Sequence, residues 1–264
     1  MLKDSELMEE LIRPILNSKT LPKFGTNQGV SKEDFLKIRG SDPLYSVVGL
    51  DTAELYAAHA GGSVLTSAYR QLGIGLERAL RLIAEKGCDF IDVPDNDTNN
   101  IKWSFQSATG ATRELDLLIS VDMINQESKK KRLYEIARLM KPKFKIQESD
   151  FKGIVFEIRQ GYQSADSKRV KGDLEIVEKA EDEGLLAVVL IGSNSYNHSV
   201  ISTYKNGGLP ILVPSSGDNG KVENCPYCFF EDFMDYDLRS AMLRIAPKAK
   251  AKVTEHVRTR LGLD

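Results

Sequence analysis

The feature that most restricts the fold is an unbroken apolar run at residues 185–191, which reads LLAVVLI. A strand that is apolar at every position is typical of a sheet covered on both faces by other elements. A highly charged helix that ends at Gly184 is predicted before this run, over residues 166–184. Another helix is predicted after it, over residues 197–205. The run therefore predicts an inner strand of a sheet that is flanked by helices.

The rest of the chain extends this pattern in a definite order. Helical spacing is found over residues 4–18, in a short helix from Ser31, over 51–86 with an interruption at Gly61-Gly62, and over 125–140. Alternation predicts a hairpin of residues 101–106 and 113–121, and strands over 153–160 and 209–213. The order favours an α/β (α+β) fold with a mixed central sheet flanked by helices. No repeat or flexible linker interrupts residues 1–264, so a single domain is expected.

Two of the predicted strands carry acidic side chains on one face and apolar side chains on the other. Glu157 and Arg159 are two residues apart in the strand 153–160, and Glu114 and Asp116 have the same spacing in the hairpin. Carboxylates from two neighbouring strands could hold Mg²⁺, which binds oxygen ligands and retains several waters. The alternative is that Glu157 and Arg159 form an ordinary ion pair on a solvated sheet face.

The run from Glu157 to Arg169, which reads EIRQGYQSADSKR, resembles type II restriction endonucleases of the PD-(D/E)xK nuclease superfamily, and is most similar to the ApaLI-like branch. The order of a long helix, a hairpin with an aspartate, a strand with Glu-x-basic, a helix and a strand is also similar to that nuclease core. The similar order of elements covers about residues 63–213, with a helical N-terminal extension and a C-terminal extension outside it.

The resemblance implies roles for individual residues. Asp116 matches the metal-binding aspartate, Glu157 the acidic residue of the (D/E)xK half-motif, and Glu77 a glutamate that many members present to the same Mg²⁺. Position 159 departs from the pattern because it holds Arg, which cannot lose its proton in a protein and so cannot act as a base. Arg159 could still bind the scissile phosphate. Lys168 is a candidate to supply the missing ammonium group.

The separation between Asp116 and Glu157 is longer than the family pattern and has to contain the predicted helix 125–140. Asp122, or Asp150 just before the strand, therefore remains an alternative partner for Glu157. Asp116 is preferred to either because the alternation places it in the middle of a strand, on the required face.

A restriction enzyme that recognises a short palindrome is expected to act as a two-fold homodimer on double-stranded DNA. Base contacts in the major groove are made by Arg, Lys, Asn, Gln and Ser side chains. The candidates for DNA binding lie in two segments, after residue 159 and between 193 and 198. They are Gln160, Gln163, Ser164, Arg169, Lys171, Asn194 and Asn197.

Composition adds broad limits on location and partners. A hydrophobic fraction of 41% and a charged fraction of 28% are ordinary for a soluble globular protein. No apolar run is long enough to span a bilayer, and the acidic N-terminus does not resemble a signal peptide, so a cytoplasmic location without membrane contact is expected. The net charge of −2 neither favours nor excludes nucleic acid as a partner.

Three cysteines give no disulfide framework. Cys225-Pro-Tyr-Cys228 has the spelling of a glutaredoxin active site, but in glutaredoxins most of the chain follows the motif, whereas here the chain is nearly finished. A zinc site would need two more ligands, and Cys88, His198 and His256 are scattered along the chain. Ordinary cysteines in a turn are the favoured interpretation of this pair.

These observations predict a Mg²⁺-dependent, type II site-specific deoxyribonuclease of a restriction-modification system. One alternative is a DNA-binding protein on a nuclease fold that has lost catalysis, which Arg159 makes conceivable. The other is a nuclease of the same fold that acts in repair on particular DNA structures or ends.

Overall fold

The computed structural model describes residues 2–18, 30–93, 101–107, 110–161, 167–215 and 220–261, without the side chains of residues 167–169 and 171. The fold is α+β, as expected. The helices are α1 (Asp4–Leu16), α2 (Lys32–Gly40), α3 (Pro43–Val47), α4 (Ala53–Lys86), α5 (Glu127–Met140), α6 (Ser167–Asp182), α7 (His198–Asn206), α8 (Pro226–Asp232) and α9 (Leu238–Leu261). The strands are β1 (Trp103–Gln106), β2 (Thr112–Leu115), β3 (Leu117–Ser120), β4 (Gly153–Arg159), β5 (Leu185–Ile191) and β6 (Ile211–Leu212).

The described residues form two compact units. The first consists of residues 1–10 and 76–245 and contains both sheets. The second consists of residues 11–75 and 246–264 and is helical where it is described. The single-domain organisation that the sequence suggests stays a prediction.

The main sheet has the strand order β3-β4-β5-β6. β3 pairs antiparallel with β4, whereas β4, β5 and β6 are parallel to one another. Helix α6 connects β4 to β5 and α7 connects β5 to β6, which is how parallel neighbours are joined. All seven residues of β5 are buried, which confirms the inner strand expected from its unbroken apolar run.

Both faces of this sheet are packed. On one face Val155 and Val189 belong to a core that includes Ile176 of α6 and Tyr204 of α7. On the other face the side chains of Ile154, Phe156 and Ile158 are buried, as their alternation predicts. The ring of Phe156 contacts Phe229 of α8, with 5.3 Å between ring centroids. Glu157 and Arg159 therefore project toward the α6–α7 side of a buried strand.

Two features differ from the expectations. Helix α4 continues through Gly61 and Gly62, where the sequence predicts an interruption, since the preference of glycine against helix costs only about 1 kcal/mol per residue. The predicted strand 113–121 is two strands, β2 in a hairpin with β1 and β3 in the main sheet, with a bend at Asp116. Before this bend the chain pairs with strand β1, and after it the chain pairs with strand β4.

Among the described helices, none has the combination of length and apolar character that is needed to cross a bilayer.

Candidate metal and catalytic site

Asp116 and Glu157 lie near each other where the β3–β4 pairing ends. Leu117 is opposite Phe156 in the antiparallel register, and Asp116 is the next residue toward β2, at the bend. The backbone N–H of Asp116 donates to the carbonyl of Phe156 at 3.0 Å. Its side-chain Oδ2 accepts from the backbone N–H of Ile158 at 2.8 Å. The charge of Asp116 raises the pKa of Glu157, the next residue of β4 after Phe156, so the two carboxyls are close enough to interact.

The bend at Asp116 separates this residue from Glu114, which the alternation placed on the same face. Glu114 stays in the β1–β2 hairpin, where its exposed carboxylate accepts from Lys102 Nζ at 2.5 Å. Asp116 instead lies against the backbone of β4. Asp116, which is predicted to lie in the middle of a strand, is thus at the junction between the two sheets. The hydrogen bond from Ile158 fixes its side chain against β4.

Glu157 and Arg159 do not form an ion pair on a solvated face. Their side chains are only 14% and 13% exposed, and Arg159 Nη2 lies 2.8 Å from Glu157 Oε1. A partly buried carboxylate of this kind is costly to ionise unless a cation compensates it. Glu157 and Arg159 are therefore paired, as the alternative expects. The pair is largely buried, however, and does not lie on a solvated sheet face.

The charged form of Glu157 is costly at this place, chiefly because the side chain is buried. Burial raises its pKa to about 7, and the charges of Asp116 and Asp173 add to the increase, although Arg159 lowers it. Arg159 cannot neutralise Glu157 fully because the same Nη2 also lies 3.0 Å from both oxygens of Asp173. Burial likewise raises the pKa of Asp116, in opposition to the hydrogen bond from Ile158.

Glu77 of α4 belongs to the same electrostatic group. Burial raises its pKa to about 7, and the next largest cause is the negative charge of Asp116. Arg81, one turn along the helix, pairs with Glu77 at 3.3 Å and opposes this increase. The structure thus brings Glu77 near Asp116, and its role as a third metal ligand stays a prediction.

A buried polar network surrounds Asp173 of α6, a residue that the sequence patterns do not single out. Asp173 is fully buried and receives hydrogen bonds from Arg159, from Arg113 Nη2 at 3.2 Å and from the Tyr204 hydroxyl at 2.6 Å. Arg113 also donates to the carbonyl of Gly172. This network fixes the guanidinium of Arg159 beside Glu157.

A signal for Asp173 is present in the sequence. The residues three and seven positions later, Ile176 and Ala180, are buried on the core-facing stripe of α6. An acidic residue at the start of such a stripe has to be paired, because a buried isolated charge is very unfavourable. The high overall charge of α6 hides this position among solvated residues.

Several predicted residues cannot be placed. Gln163 and Ser164 lie outside the described residues, as do the side chains of Lys168, Arg169 and Lys171. Their assigned roles in catalysis and DNA binding stay predictions.

The remaining DNA-binding candidates lie at the carboxyl edge of the parallel strands. Gln160 follows β4 and Asn194 follows β5, and the chain after β4 approaches the loop after β5 closely. A Cβ at Gly161 would lie 2.8 Å from the carbonyl oxygen of Ser195. Asn194 is exposed, whereas Asn197 caps the N-terminus of α7, with its side-chain oxygen accepting from the backbone N–H of Ser199 at 2.9 Å. This edge is where ligands bind in open α/β sheets.

The alternative acids lie at the other end of the β3–β4 pair. Asp122 follows β3 and Asp150 precedes β4, where Ser120 pairs with Gly153, and both acids are exposed. Four residues of strand separate Gly153 from Glu157, which corresponds to roughly 13 Å. The geometry therefore favours Asp116 as the partner of Glu157.

Asp116 and Glu157 offer Mg²⁺ two carboxylate ligands and not a complete set of protein ligands. Across the described parts of the chain, no three His, Cys, Asp or Glu side chains are arranged as a metal site. Mg²⁺ is commonly bound by one or two carboxylates, with waters and substrate phosphates as its other ligands. Asp116 and Glu157 match that requirement, and burial raises both of their pKa values although nearby cations oppose it, so a further cation would favour the ionised form of both carboxyls.

Searches of protein-family models and of curated proteins find no match to this chain.

Proposed function

We propose that this protein is a Mg²⁺-dependent, sequence-specific double-stranded DNA endonuclease, a type II restriction enzyme of the PD-(D/E)xK superfamily. The observation that supports the proposal most is the placement of Asp116 beside Glu157 in a partly buried site near the carboxyl edge of β4. The order of α4, the β1–β2 hairpin, β4, α6 and β5 also agrees with the core that the resemblance implies.

In this proposal Asp116 and Glu157 hold the metal. A Mg²⁺ ion held by these two residues would lower the pKa of a bound water and polarise the phosphoryl oxygens. Arg159 contributes a permanent positive charge close to Glu157, where negative charge develops on the scissile phosphate. Arg159 cannot remove a proton, so its role is electrostatic, and Asp173 keeps its guanidinium in position.

The proposed partner is double-stranded DNA, bound by a two-fold homodimer in the cytoplasm. Gln160 and Asn194 are proposed to reach the DNA from the carboxyl edge of the sheet, because Gln160 follows β4 directly and Asn194 is the third residue after β5. Their amide side chains can form paired hydrogen bonds with an adenine edge in the major groove.

One observation favours a second candidate function, that of a DNA-binding protein that no longer cleaves. Arg159 is held by both Glu157 and Asp173, so the residue that would face the phosphate is already paired. A cleaving enzyme requires Arg159 to gain the phosphate as a further partner, or another residue to supply the positive charge.

Incubation of supercoiled plasmid with the purified protein and Mg²⁺ tests the proposal. Discrete fragments that depend on Mg²⁺ are expected. Products that depend on DNA ends or unusual structures would indicate a repair nuclease, and DNA binding without cleavage would support the non-cleaving alternative.

Matched variants connect the activity to the site. Asp116→Asn and Glu157→Gln should abolish cleavage and leave DNA binding in a gel-shift assay largely intact. Asp122→Asn is the control, since Asp122 is exposed at the far end of β3, and its cleavage rate should equal that of the wild type. Full cleavage by Asp116→Asn or Glu157→Gln would contradict the assignment.

A further inference from the structure

Cys225 and Cys228 face the same glycine in the first unit. Cys225 is the residue before α8, and Cys228 lies in its first turn. A Cβ at Gly220 would lie 2.8 Å from Cys228 Sγ and 3.1 Å from Cys225 Sγ, so that no side chain larger than hydrogen fits between the backbone and the two sulfurs. The two thiols are also within hydrogen-bonding reach of each other. Both are free cysteines.

The environments of the two thiols are unequal. Burial raises the pKa of Cys225, but the backbone N–H groups of Cys228, Ser215 and Tyr227 and the Cys228 thiol lower it by more, and the net direction is downward. Burial and the neighbouring Cys225 raise the pKa of Cys228 to about 11. The two sulfurs therefore share one site but differ in their surroundings, since Cys225 accepts several backbone hydrogen bonds and Cys228 does not.

A small molecule can reach only one of the two sulfurs directly. Cys225 is fully buried, whereas Cys228 is half-buried and lines two adjoining surface clefts of about 430 and 330 Å³. Both clefts are also lined by Gly220 and Glu231. A disulfide reagent in either cleft would meet Cys228 first, with Cys225 directly behind it.

Cys88 provides an internal comparison. It is buried, and its thiol donates to the carbonyl of Met234 at 3.2 Å. Burial raises its pKa to about 12. A buried thiol without a neighbouring cysteine is expected to be inert.

We propose that Cys225 and Cys228 form a reversible redox site that is oxidised to an intramolecular disulfide by a small-molecule disulfide entering at the Gly220 cleft. Zinc is not the favoured ligand, because the described residues offer no third Cys, His, Asp or Glu arranged with these two sulfurs. The proposal is independent of the nuclease function.

The thiol–disulfide exchange takes place in two steps, through a mixed disulfide on Cys228. The Cys228 thiol loses its proton to water, and Cys228 Sγ attacks one sulfur of the small disulfide, which breaks its S–S bond and releases a thiolate that takes up a proton. Cys225 then loses its proton to the second leaving group, and its sulfur attacks Cys228 Sγ to form the protein disulfide. The small disulfide gains two electrons in total and leaves as two molecules of the free thiol or thiolate.

The test uses the reduced, folded full-length chain in buffers of reduced and oxidised glutathione, and separately with cystamine, which has the opposite charge. After acid quenching and alkylation, mass spectrometry counts free thiols and maps cross-linked peptides. Two of the three thiols should be lost together, with a link between Cys225 and Cys228 that dithiothreitol reverses. Cys88→Ser should behave like the wild type. Cys225→Ser should stop at a mixed disulfide on Cys228.

Three results would overturn the proposal. The first is that all thiols stay free with both reagents while the chain is folded, and the second is that Cys88 reacts ahead of the pair. The third is purified protein that contains stoichiometric zinc and has both thiols protected until a chelator is added. The wild-type thiol count decides the question even where Cys225→Ser fails to fold.

Discussion

Addition of Mg²⁺ at pH 7 is expected to release about one proton per chain. The pKa values of Glu77 and Glu157 are both raised to about 7, so each carboxyl carries about half a proton at pH 7. A cation held by ionised Asp116 and Glu157 favours the charged form of every carboxyl near it, including Glu77. Its binding therefore displaces roughly one proton in total.

Isothermal titration calorimetry in buffers of different ionisation enthalpy measures this number directly. The release should decrease to nearly none at pH 8.5, where both carboxyls are already ionised. Glu157→Gln should release only about half a proton if it still binds the ion, because Glu77 alone then contributes. Asp122→Asn should behave as the wild type. Binding of Mg²⁺ without proton release at pH 7, or no binding, would refute the reasoning.

Three further changes test the buried charges by urea unfolding. Glu157→Gln should stabilise the metal-free protein at pH 8 by about 3 kcal/mol and much less at pH 5, because a carboxyl pKa raised from 4.5 to about 7 makes the folded state lose stability as the pH rises from about 4.5 to about 7. The exposed Glu114→Gln should show no such difference between the two pH values, and an equal effect of both variants would contradict the account. Asp173→Asn should destabilise by about 3–5 kcal/mol, because Arg159 would lose its fully buried partner, and a loss below about 1 kcal/mol would be inconsistent with the network. Tyr204→Phe should cost about 2 kcal/mol through the lost hydrogen bond to Asp173, and unchanged stability would show that the bond contributes nothing.

Periodicity in the sequence predicts much of the sheet. The run 185–191 is apolar throughout because both of its faces are packed, and it is the inner strand β5. Alternation in 153–159 correctly separates Ile154, Phe156 and Ile158 from Glu157 and Arg159. These patterns are local, and each follows from which side of the strand meets the core.

The features that the sequence does not predict depend on contacts between distant segments. The bend at Asp116 arises because β2 and β3 pair with different strands, and alternation continues across it without a break. The position of Asp173 beside Arg159 depends on how α6 packs over β4, which no local pattern specifies. The sequence spacing also does not decide whether Asp116, Asp122 or Asp150 is the partner of Glu157. The register of β3 and β4 places Asp122 and Asp150 at the other end of the strand pair from Glu157.

The most direct test of the central claim is anomalous diffraction from crystals soaked in Mn²⁺, which binds the same kind of oxygen ligands as Mg²⁺. The account predicts a peak within coordination distance of the carboxylates of both Asp116 and Glu157. Absence of a peak there at saturating Mn²⁺, or a strong peak only at another place in the chain, would contradict it.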